Sequence, residues 1–166
     1  MLSLSRTLIC GLCVVTALSA SVHAAEPVTN TLAVHRVVAR ADGSEELKAA
    51  DAAKPGDVLE YTAEFHNAGT AAARGLSATL PIPAGVTLLA GSVRPAGASA
   101  SLDGTTYAPM PLMRRVRHAD GSVGDERVPL ADYRYLRWPP ADLAPNGALA
   151  VSARVVVAGN DAPAKH

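Results

Sequence analysis

The feature that most constrains this chain is a two-residue alternation of apolar and polar side chains, broken at short intervals by turn formers. It is clearest over residues 57–66, where Leu59, Tyr61, Ala63 and Phe65 share one parity and Glu60, Thr62, Glu64 and His66 the other. Only an extended strand with one buried face brings positions i, i+2 and i+4 to the same side. Residues 149–157 repeat the pattern, with Leu149, Val151, Ala153, Val155 and Val157 on one side and Ser152 and Arg154 opposite. Shorter runs at 75–80, with Leu76, Ala78 and Leu80 inward, and at 86–89 obey the same rule. The β-branched stretch 31–40 is expected to open the sheet, and 133–138 to form a penultimate strand with Leu136 and Trp138 inside.

Between these runs stand Asp42-Gly43, Pro55-Gly56, Asn67-Ala68-Gly69, Pro83-Ala84-Gly85, Asp103-Gly104, Asp120-Gly121 and Pro145-Asn146-Gly147. Each supplies a preset or positive φ where a chain reverses, and Asn67 and Gly69 are read as residues that tolerate positive φ. About seven short strands with such punctuation describe an antiparallel β-sandwich. Residues 44–54 carry helix formers behind Ser44, a possible N-cap. Because strands surround them, a short edge strand at Glu45–Ala49 is expected instead. Residues 108–130 hold Pro109, Pro111 and Pro129 and read as a long excursion, with a hairpin across Asp120-Gly121.

The N-terminus reads as an export signal. Arg6 precedes an apolar run over residues 8–18, too short to span a bilayer, and Val22-His23-Ala24 fits a small-residue cleavage site. Residues 1–24 are therefore expected to be removed, leaving a domain over 25–158, a polar tail over 159–166 and no membrane span. Cys10 and Cys13, the two cysteines, leave with the leader. The mature chain then has no disulfide, thiol nucleophile or cysteine metal site. Fifteen basic residues against fifteen acidic ones, a formal net charge of +0, argue against a nucleic-acid partner. With aromatic residues at only 4%, the core must be assembled from small side chains, which favours a thin sandwich over a deep catalytic pocket.

Three segments in order carry a resemblance: Pro55-Gly56-Asp57 leading to Tyr61-Thr62, then Asn67-Ala68-Gly69, then Pro83-Ala84-Gly85. With the closing Trp138-Pro139-Pro140 and Pro145-Asn146-Gly147 before a Val-rich strand, the chain resembles the DUF11 family of bacterial immunoglobulin-like repeat domains over residues 31–157. The resemblance implies an immunoglobulin-like sandwich in an exported or surface protein, and it implies no chemistry, because these motifs specify corners. Pro83-Ala84-Gly85 is expected to break pairing so that the next strand crosses to the other sheet. The chain carries a single copy of the pattern, with residues 108–130 as an elaboration.

His35, His66, His118 and His166 show no H-x-H or H-x-x-x-H spacing and read as surface histidines. Asp42-Gly43-Ser44-Glu45, Asp103-Gly104 and Asp120-Gly121 could each give calcium an oxygen, but each is also an ordinary turn and no D-x-D-x-D cluster gathers them. No G-x-S-x-G elbow raises a serine for attack. Neither a cofactor, a metal site nor catalysis is expected. The sharpest cluster is Arg114, Arg115, Arg117 and His118, with Arg134 and Arg137 candidates to lie close by and Tyr133 and Tyr135 interleaved. A polyanion, an anionic lipid surface or a carboxylate-bearing partner could use such a patch, and an envelope protein is the partner expected. The expectation is an exported, non-catalytic module of the periplasm or cell surface that acts by edge-strand pairing or a loop-presented surface. A metal- or small-ligand-binding periplasmic protein is the alternative.

Overall fold

The computed structural model describes residues 28–159. The expected leader, Cys10, Cys13, His166 and all but the first residue of the expected tail lie outside the described residues.

The molecule is an all-β, antiparallel, sandwich-like fold. Its larger sheet has five strands in the order β2-β1-β3-β13-β6: β1 (Val28–Ala39), β2 (Glu45–Ala49), β3 (Val58–Asn67), β6 (Val86–Leu88) and β13 (Ala148–Val157). The smaller sheet runs β5-β11-β7-β8, from β5 (Thr79–Pro81), β7 (Ser99–Ser101), β8 (Ala108–Pro109) and β11 (Tyr135–Arg137). Two further pairs stand apart: β4 (Ala73–Leu76) with β12 (Ala141–Leu143), and β9 (Met113–Arg117) with β10 (Val123–Arg127). One 3-10 turn, Leu130–Asp132, is the only helical element among the described residues.

The alternation read from the sequence becomes the core. Leu59, Ala63 and Phe65 of β3 and Val151, Ala153 and Val155 of β13 are buried. They pack in one cluster with Leu80, Ala100, Leu136 and Trp138 from the smaller sheet. Many of these side chains are small, so stability must come from many modest burials, each roughly 1 to 3 kcal/mol when complete. The edge strand Glu45–Ala49 is present, although its residues favour helix. Its pairing with residues 35–39 of β1 outweighs local propensity. Pro83-Ala84-Gly85 does separate β5 in one sheet from β6 in the other.

Three expectations need correction. The strand expected at 75–80 divides, since β4 pairs with β12 and β5 with β11, although Ala78 and Leu80 still point inward. Asn67 and Gly69 do not take positive φ. Asn67 is instead 1% exposed, and its amide donates to the carbonyls of Ala71 (2.8 Å), Leu143 (3.0 Å) and Ala144 (3.1 Å) while its Oδ1 accepts from the Gly69 N–H. The strand expected at 133–138 shrinks to Tyr135–Arg137. The 3-10 turn before it rotates Tyr133 inward as well, so that Tyr133, Leu136 and Trp138 are all buried despite their differing parity.

Candidate functional site

Residues 108–130 are more regular than their prolines suggest. Met113–Arg117 and Val123–Arg127 form a hairpin with Arg117 opposite Val123, Val116 opposite Gly124, Arg115 opposite Asp125, Arg114 opposite Glu126 and Met113 opposite Arg127. Its tip is the expected turn at Asp120-Gly121, where the Asp120 carboxylate accepts from both the Ser122 N–H (2.9 Å) and its hydroxyl (2.7 Å). Those bonds, the hydroxyl's first, hold the Asp120 carboxyl below its ordinary range.

The same turn occurs twice. Ala41-Asp42-Gly43-Ser44 joins β1 to β2 with the same four residues. Asp42 accepts the same two bonds from Ser44, and Gly43 and Gly121 take φ of 82° and 83°. The repeated tetrapeptide was legible in the sequence as a signal for two matching hairpins. Both calcium-like fragments therefore serve as turn closures. At Asp103 the carboxylate accepts from the N–H groups of Thr106 (2.9 Å) and Thr105 (2.8 Å) and from the Ser101 hydroxyl (2.9 Å). These bonds, Thr106 first, hold it far below the usual carboxylate range.

The hairpin is fastened to the sandwich at its base. Leu112 and Val128 are buried, the Val128 N–H donates to the Leu112 carbonyl (2.9 Å), and the Leu112 N–H donates to the hydroxyl of fully buried Tyr133 (2.7 Å). Beyond that base the strands pair only with each other. Because cross-strand partners share a face, one face carries Met113, Arg115, Arg117, Val123, Asp125 and Arg127, all exposed. The other carries Arg114, Val116, Gly124 and Glu126. His118 Nδ1 lies 3.8 Å from Glu126, and a Cβ at Gly124 would meet its ring at 3.0 Å.

Strand geometry thus divides the basic run. Arg115 and Arg117 share the open face, Arg114 and His118 the opposite one, and Asp125 and Glu126 stand across from Arg115 and Arg114. The result is a mixed, amphipathic surface. Arg134 turns back to donate to the carbonyls of Ala131 (2.7 Å) and Tyr133 (2.8 Å). Arg137 stacks 3.6 Å from the Tyr107 ring centroid, with its Nε buried and lacking a hydrogen-bond partner. His35 lies on β1 and His66 on β3, and among the described residues no three His, Cys, Asp or Glu side chains gather to hold a metal ion.

Sequence reasoning did not anticipate a groove of about 450 Å³ beside the hairpin base. Leu88, Val93, Met110 and Tyr133 line it together with exposed Arg94 and Arg127. Its walls come from segments distant in sequence, so no local pattern announces it. Arg94 is held by donation to the carbonyls of Gly91 (2.7 Å) and Val93 (2.9 Å). It also borders a neighbouring, more polar groove that includes Glu60 and Arg154. Arg154 joins Glu60 (2.7 Å) to Glu45 (2.7 Å) across the outer face of the larger sheet.

No protein-family model, curated protein or solved structure matches this chain. Among the described residues no helix is long and apolar enough to cross a membrane.

Proposed function

We propose that this chain is an exported, non-catalytic immunoglobulin-like module of the bacterial cell envelope, with a structural or protein-interaction role, and that the hairpin Met113–Arg117/Val123–Arg127 is the surface it presents. The reading rests chiefly on the hairpin itself, which is anchored through Leu112, Val128 and Tyr133 while six side chains of one face stay open. That face combines apolar Met113 (54% exposed) and Val123 (44%) with Arg115, Arg117, Arg127 and Asp125. Apolar side chains ringed by arginines are a composition favoured at protein interfaces. The leader-like residues 1–24 and the DUF11-like corner motifs supply the export and envelope parts of the reading.

The test is recovery of envelope proteins on the immobilised chain, wild type against the combined Arg114→Ala, Arg115→Ala and Arg117→Ala variant. Loss of the recovered partner with an unchanged melting temperature is the expected result. Equal recovery would remove the hairpin from the role. The exported protein should also begin at Ala25 or Glu26 on N-terminal sequencing.

A second reading, a periplasmic small-ligand-binding protein, is favoured by the groove between Arg94 and Arg127. Two arginines among mostly apolar lining residues suit a small carboxylate with a hydrocarbon body. A melting scan with such carboxylates tests it, and a rise that Arg94→Ala abolishes would favour this reading over the module.

A further inference from the structure

The first half of β1 is an open sheet edge. Main-chain groups of Asn67 bond toward β13, where its N–H donates to the Gly147 carbonyl and its own carbonyl accepts from Asn146. Alternation along β3 therefore turns His66, Glu64 and Thr62 toward β1, where they face Thr29, Thr31 and Ala33. The N–H and C=O groups of Val28, Asn30 and Leu32 then point the other way. Pairing of β1 with β2 begins only at His35, so among the described residues no strand faces these three.

The other edges of the two larger sheets are blunted in ways that resist pairing with another chain. The edge strand β2 carries Glu45, Glu46 and Lys48, β5 and β8 are two or three residues long and end in proline, and β6 has three residues. In contrast, Val28-Thr29-Asn30-Thr31-Leu32 has no charge and no proline, and Leu32 is 49% exposed.

The geometry points to a second copy of this chain as the occupant, paired antiparallel through Val28–Leu32 about a two-fold axis at Asn30. Only even residues offer outward groups, so a slip of one residue forfeits every new hydrogen bond. With Asn30 opposite Asn30, all six outward groups bond in pairs. Side chains then match in kind: Leu32 meets Val28 on the core-side face and Thr29 meets Thr31 on the other, with no like charges opposed. A slip of two residues toward Val34 would set Leu32 against Asn30. No lining residue of the two grooves described above lies on β1, so neither borders this edge to read the side chains of an unrelated peptide. The interface is isologous, and it joins two five-stranded sheets into one of ten. It is independent of the hairpin and its role.

The test uses protein purified from cells expressing the full chain. Light scattering is expected to give a dimer for the wild type. It should give a monomer for Leu32→Lys and for Asn30→Pro, which removes outward donors without touching the β1–β3 ladder. In a background with Cys10→Ser and Cys13→Ser, Asn30→Cys places two Cα atoms about 5.5 Å apart, inside the disulfide range of about 4.4 to 6.8 Å. It should cross-link about tenfold faster than Ala33→Cys, whose copies lie far from the axis. A wild type that stays monomeric, as expected if a different protein covers this edge, overturns the proposal. Dimers that survive both edge variants, or equal cross-linking at positions 30 and 33, overturn it too.

Discussion

Replacing Asn67 with alanine would leave three carbonyls and the Gly69 N–H without the side-chain partner that now joins the end of β3 to the loop at 71 and the corner at 143–144. An unmet buried polar group costs about 1 to 3 kcal/mol. Asn67→Ala is therefore expected to lower the unfolding free energy by about 3 kcal/mol in a urea titration, the surplus carbonyls being partly met by water. Asn67-Ala68-Gly69 was recognisable as a corner, but a motif does not say whether its asparagine bends the backbone or ties loops together. Gly104 was legible for a simpler reason: it takes φ of 79°, and a Cβ there would meet the Tyr135 ring at 2.9 Å. Asp42, Asp103 and Asp120 are all depressed by hydrogen bonds to the ionised form. Their contribution is present above the unfolded carboxyl value of about 3.9 and is lost as pH falls through the lower folded values. The melting temperature should therefore drop below about pH 4, and Asp103→Ala should flatten part of that fall.

At the level of elements, strands of ten or more residues announced themselves. Of those of two or three residues, β6 and β11 were read, at 86–89 and 133–138, and others were not. Alternation needs several residues to register, so β3 and β13 were visible whereas no strand was expected at β7, β8 or β12. The division of 75–80 into β4 and β5 had no local signal, because Leu76, Ala78 and Leu80 keep one parity through the break. The candidate hairpin was legible at its tip through Asp120-Gly121. Its anchoring was not, since Leu112 and Tyr133 meet across twenty-one residues. Removing that one hydroxyl should loosen the element while sparing the sandwich. Tyr133→Phe is expected to cost about 1 kcal/mol. Amide exchange over residues 112–128 should rise more than in β3 or β13, and uniform change across all strands would show that the hydroxyl serves the core generally.

For the whole molecule, both sheets contribute to one buried cluster, and Trp138 sits in it with its indole N–H on the Pro95 carbonyl at 2.7 Å. Fluorescence of this single tryptophan and far-ultraviolet circular dichroism should therefore give coincident unfolding curves. Separate midpoints would mean that the sheets come apart independently. Fold class was accessible from the sequence because one periodicity and its punctuation recur along the chain. The six predicted residues, five arginines and a histidine, were found as residues but not as a surface: pairing sets carboxylates opposite two of them, and Arg134 and Arg137 engage their own neighbours. The fastening of the hairpin at Leu112, Val128 and Tyr133 also has an evolutionary consequence. Substitutions along 113–127 barely touch the packed interior, so selection for a new binding partner can rewrite that stretch while the sandwich stays under separate constraint. Descendants of this chain should diverge fastest there.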